Sequence, residues 1–164
     1  MAETIYSYKV NSLAGKEISL NDYAGKVVMI VNTATACGLT PQLNGLEELH
    51  KKYGEQGLVV LGVPSNDFAD QEPLDGDAIA EYCSINHGVS FQLTEKTTVK
   101  GEKAHPLFQF LSSKKLNGVV GSVPKWNFQK YLIRKNGELE TYFYPVTSPT
   151  AGRVKRKIEK LLAE

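Results

Sequence analysis

The chain has little of what usually marks a site. Two cysteines, one tryptophan and three histidines are spread over 164 residues. The histidines, His50, His87 and His105, lack metal-ligand spacing, so no metal site is expected, and no Walker or Rossmann glycine motif suggests a nucleotide. No apolar stretch approaches the ~18 residues of a membrane span. The start, Met1-Ala2-Glu3-Thr4, has neither the basic nor the apolar region of a secretory leader. A net charge of +1 leaves no electrostatic footprint for nucleic acid or an anionic membrane. These absences point to a cytoplasmic protein, where two cysteines are more readily catalytic or redox-active than a structural bridge.

What remains is an ordinary globular composition, 41% hydrophobic and 23% charged, with a length that predicts one domain able to bury a core without staples. Residues 6–10 alternate and, with Ile18 and Leu20 beyond Gly15, predict an N-terminal hairpin. Val27 to Val31 and Leu58 to Val63 read as fully buried strands, joined by a helix over 41–53 whose leucines recur at helical spacing. This βαβ unit implies parallel pairing with a right-handed crossover. A helix capped by Asp75 or Asp77 carries Ile79, Tyr82 and Cys83 inward and ends at His87-Gly88. Val89 to Leu93 predicts a short strand, and His105-Pro106 opens another helix. Asn136-Gly137 predicts a two-residue hairpin, and Ser148-Pro149 starts the last helix. The order is that of an α/β, thioredoxin-like layout, a central mixed sheet flanked by helices.

Cys37 follows the first buried strand and precedes Gly38-Leu39-Thr40-Pro41. That stretch reads as a turn into a helix, with Thr40 as N-cap and Pro41 at the first helical position. Unpaired N–H groups and the helix dipole there favour a thiolate; the bland alternative is a small buried hydrophobe. Position 40 is Thr, so no CxxC dithiol exists. Cys83 reads either as core packing or as a resolving thiol that its helix must unwind to release, since a disulfide needs Cα atoms within about 7 Å. The ending Asn86-His87-Gly88 suggests weak capping. The polar loop 65–74 follows the second buried strand, at the sheet edge where α/β folds bind ligands. Trp126, taken alone, is a core residue. The cations Arg153, Lys155, Arg156, Lys157 and Lys160 form the solvated face of the last helix.

Three segments in this order resemble the glutathione peroxidase family, in its cysteine-based branch. They are Val31 through Gln42 around Cys37, then Asn66 and Phe68 with Gln71-Glu72-Pro73, then Trp126-Asn127-Phe128. The resemblance spans nearly the whole chain. It implies a single thioredoxin-like peroxidase domain over 1–164 that needs no cofactor and reduces hydrogen peroxide and organic or lipid hydroperoxides. By that resemblance the catalytic residues are Cys37, Gln71, Trp126 and Asn127. Cys83 matches the resolving cysteine of relatives recycled by thioredoxin, with glutathione as the other reductant. The short segment from Leu111 to Trp126 implies a monomer with an open site. Ser65, Asp67 and Ala69 stand where many relatives have Cys, Gln and Gly; Asp67, if turned inward, would raise the Cys37 pKa. The same residues would also serve a peroxide sensor passing oxidation to a partner protein, and inert cysteines would leave a thioredoxin-fold binding module.

Overall fold

The computed structural model describes residues 3–164; Met1 and Ala2, part of the stretch read above for a leader, lie outside the described residues. A small antiparallel hairpin, β1 (Lys9–Asn11) with β2 (Glu17–Ser19), precedes the main sheet. The sheet contains β3 (Val27–Thr33), β4 (Leu58–Pro64), β5 (Gln92–Leu93), β6 (Lys130–Ile133) and β7 (Leu139–Phe143), ordered β5-β4-β3-β6-β7. β3 pairs parallel with β4 and β4 with β5, while β6 and β7 add an antiparallel edge. This is the mixed sheet the sequence predicts.

β3 is buried at every position because both faces of the sheet are covered. Val27, Met29 and Val31 face one core with α1 (Gln42–Tyr53), α2 (Gly76–His87) and α5 (Gly152–Leu162). Val28 and Ile30 face the other, with α3 (Pro106–Ser112) and the N-terminal segment. A short helix, α4 (Lys114–Asn117), follows α3. The parallel pair β3–β4 ends at Thr33 opposite Pro64. The loops after those two strands therefore leave the same edge of the sheet.

Several local expectations need correction. Ile5–Ser7 forms a 3-10 turn, so the first strand is shorter than 6–10. The expected strand from Val89 shrinks to Gln92–Leu93. The β6–β7 turn is a three-residue loop rather than a two-residue one: Gly137 alone has positive φ, and Arg134 N–H pairs with Glu138 O at 2.9 Å. A two-residue type I′ turn would need Asn136 there as well. The last helix begins at Gly152, not at Ser148, because residues before it pack on α1: a Cβ on Gly45 would meet Pro149 Cγ at 2.8 Å. That close approach explains a glycine inside a helix. Asp75 occupies the N-cap position of α2 without a side-chain cap, its carboxylate instead pairing with Lys96 at 3.0 Å.

Candidate active site

The segment from Ala34 to Pro41 is built from successive tight turns. Thr40 N–H reaches Cys37 O at 3.0 Å and Gln42 N–H reaches Leu39 O at 2.8 Å. Thr40 is not the helix cap, and Pro41 stands at the cap position rather than first in the helix: the Thr40 hydroxyl donates to Ala34 O and accepts the Cys37 N–H, both at 2.9 Å. The backbone turns already serve the early N–H groups of α1, which starts at Gln42. Thr40 thus folds the loop back on itself and holds Cys37 half-buried, one turn ahead of the helix. Leu39 N–H donates to Cys37 Sγ at 3.3 Å, placing a backbone donor on the sulfur.

Two other segments meet this loop. Ala36 N–H donates to Gln71 O at 2.9 Å, tying the loop after β3 to the loop after β4. Asn32 Nδ2 donates to Trp126 O at 2.9 Å, and Phe128 N–H donates to Asn32 O at 2.6 Å, lashing residues 126–128 to the end of β3. Asn127, fully buried, donates from Nδ2 to Gln71 Oε1 at 3.0 Å. The Gln71 oxygen is occupied by that bond, which leaves its two N–H groups for another acceptor. Trp126 is half-buried and leans on Phe68 with ring centroids 5.6 Å apart. The segments that carry Cys37, Gln71, Trp126 and Asn127 thus meet at one edge of the sheet.

Backbone strain marks the same place. Among the described residues the non-glycine positions with positive φ are Ala69, Asp70 and Phe128. The first two lead into Gln71 and the third follows Asn127. An L-residue in that region costs on the order of 1–2 kcal/mol, so three such residues flanking two site side chains fit a backbone bent to aim them.

Asp67 does not turn inward as a charge on the sulfur: its Oδ2 accepts Val99 N–H at 2.6 Å. Ser65, fully buried, accepts Asp67 N–H on its hydroxyl at 3.2 Å. Both cysteines are free thiols. Cys83 packs in the core formed by α1, α2 and the sheet, and Cys37 packs against the rim of that core. Burial pushes the Cys83 thiol up to about 12, with the nearby Glu72 carboxyl adding to the rise. α2 is firmly closed at its C-terminal end, contrary to the expected weak capping: Gly88 N–H pairs with Ser84 O at 3.0 Å and Val89 N–H with Cys83 O at 3.2 Å. Its N-terminal end is the uncapped one.

The residue that sequence reasoning passed over is Glu72. It belongs to the quoted motif but received no role, and it proves to be a fully buried carboxyl hydrogen-bonded to Thr35. A carboxylate between a site glutamine and a proline was the available signal.

The profile of the glutathione peroxidase family matches residues 5–112. The chain belongs to the glutathione peroxidase family. A glutathione peroxidase from Lactococcus lactis is 43% identical over 157 residues, covering 96% of this chain and 98% of its own. A glutathione peroxidase-like peroxiredoxin from Chlamydomonas reinhardtii is 42% identical over 157 residues, covering 96% and 95%. Among solved structures, T. cruzi GPX1 superposes with a TM-score of 0.76 at 30% identity, over 98% of this chain and 97% of that one. A thioredoxin-family thiol:disulfide interchange protein from Chlorobium tepidum reaches 0.63 at 14% identity, over 99% and 97%, and that likeness concerns the fold alone. The chain is thioredoxin-like in architecture, and its family membership supports a thiol-dependent peroxidase activity. No helix among the described residues is long and apolar enough to cross a membrane.

Proposed function

We propose that residues 1–164 work as one monomeric, cytoplasmic peroxidase domain in which Cys37 reduces hydrogen peroxide and organic or lipid hydroperoxides. The observation that carries this reading is the hydrogen bond from Ala36 N–H to Gln71 O, which sets the Gln71–Asn127 pair beside the cysteine loop. The Cys37 thiolate attacks one peroxide oxygen, the O–O bond breaks, and the departing oxygen leaves as water or an alcohol after taking a proton. Cys37 becomes a sulfenic acid.

Ionisation is not enough for this chemistry. An ordinary thiol of pKa about 8.5 is ~3% ionised at pH 7, so full ionisation supplies at most ~30-fold, about 2 kcal/mol. The remainder comes from donors on the departing oxygen: the Gln71 amide, the Trp126 indole N–H and the second N–H of the Asn127 amide, whose first is bound to Gln71 Oε1. Loss of one such donor is worth on the order of 100- to 1,000-fold.

Cys83 then attacks the Cys37 sulfur. The S–O bond breaks, water leaves, and a Cys37–Cys83 disulfide forms, which thioredoxin reduces by exchange. Burial keeps the Cys83 thiol protonated in the closed helix, so α2 opens before this step. The test is NADPH-coupled peroxide reduction with thioredoxin or glutathione supplied in parallel. Turnover is expected with thioredoxin, absent in Cys37→Ser and stalled after one peroxide in Cys83→Ser. Unimpaired cycling of Cys83→Ser would remove Cys83 from the mechanism.

A further inference from the structure

Glu72 is a costly residue that the chemistry above leaves unused. Its side chain is fully buried, and its Oε1 has no hydrogen-bond partner. Burial pushes its carboxyl pKa up, against the pull of the Thr35 hydroxyl and of Lys96. A half-satisfied buried carboxyl is destabilising in itself.

Glu72 lies one residue after Gln71, and its partner Thr35 lies two before Cys37. Thr35 donates its hydroxyl to Glu72 Oε2, and Ala36 N–H donates to Gln71 O at 2.9 Å. The two bonds are consecutive rungs between the same two loops. Cys37 and Gln71 hang from those loops immediately beside them. Asn66 Oδ1 accepts the Glu72 N–H at 3.0 Å, closing the loop that contains Ala69 and Asp70 in the left-handed region. The outer rung is thus made by side chains, and it restrains a backbone that is strained where it delivers Gln71.

We infer that Glu72 is a positioning residue of peroxide reduction, acting through Thr35 to hold the Gln71 amide in register with Cys37. The inference rests on the peroxidase reading above. Misplacing a reacting group by about 1 Å costs up to ~100-fold in rate, so the rung's effect should appear in the step that uses Gln71 and nowhere else.

The test compares two reactions of the reduced, full-length chain at one pH. One is single-turnover oxidation by hydrogen peroxide, which needs the donor on the departing oxygen. The other is alkylation of Cys37 by iodoacetamide, which needs only the sulfur. Glu72→Met and Thr35→Val are each expected to slow oxidation by ~10- to 100-fold while alkylation stays within about two-fold. The double variant should be no slower than the singles, because both remove one rung. Glu72→Gln keeps an oxygen for Thr35 and should recover most of the rate. Unchanged oxidation, equal losses in both reactions, multiplying effects in the double variant, or no rescue by Glu72→Gln would overturn the assignment. Thr35→Val removes only a hydroxyl, so it decides the matter should Glu72→Met not fold. A wild-type Cys37 inert to peroxide would sink the peroxidase reading and this inference together; a reactive wild type with unaffected variants sinks the role of Glu72 alone.

Discussion

Lys130 is as buried as Val31, its partner across the sheet, yet it carries an amine. As an ammonium its Nζ donates to three carbonyls, of Tyr144, Pro145 and Thr147, at 3.3, 2.9 and 2.6 Å; the neutral amine keeps donors for two of them. Pro145 O also accepts Gln42 Nε2 at 2.8 Å, so the lysine holds the strap that touches the first residue of α1. Burial pulls its pKa down to about 7. Below that value the amine is charged in both folded and unfolded chains, and the folded one bears the whole cost of the buried charge. Between about pH 7 and the ordinary lysine value of about 10.4, the unfolded chain holds a proton that the folded chain has released. Stability then rises with pH by up to about 1.4 kcal/mol per unit from this group. Denaturation of wild type and Lys130→Met across about pH 6 to 10 checks it: the wild type should gain on the variant through the upper part of that range. Parallel curves would mean that the amine keeps its charge in the fold.

Among the elements, α2 is the one on which the proposed resolving role of Cys83 depends. Its C-terminal end is closed by Gly88 with φ of 63°, its N-terminal end has no side-chain cap, and Ile85 stands 72% exposed. Gly88→Ala places a Cβ in the left-handed region and should weaken the closure by about 1 kcal/mol, or ~5-fold in opening. Iodoacetamide labelling reads this out. Wild type should label at Cys37 and resist at Cys83, and Gly88→Ala should raise Cys83 labelling several-fold. Equal Cys83 labelling in the two proteins would show that the thiol is released by some other movement.

Over the whole molecule, the sheet was legible in the sequence because β3 and β4 are covered on both faces and so read as unbroken apolar runs. The helices were legible from their periodicity, and the site segments from their order along the chain. What escaped depends on contacts between distant segments. Thr40 carries the right side chain for a cap, but its hydroxyl goes to the loop carrying Cys37. Ser148-Pro149 has the form of a helix start, but these residues lie against Gly45 and the helix waits until Gly152. Glu72 and Lys130 look like surface charges, and nothing in their neighbours' spacing announces that they are buried.

In the proposed cycle, one peroxide converts the Cys37 and Cys83 thiols into a disulfide. Its most direct test is the thiol content and intact mass of the reduced protein after one equivalent of hydroperoxide. Loss of both free thiols, with a peptide linking Cys37 to Cys83, is the predicted result. Retention of both thiols while peroxide remains unconsumed would contradict it.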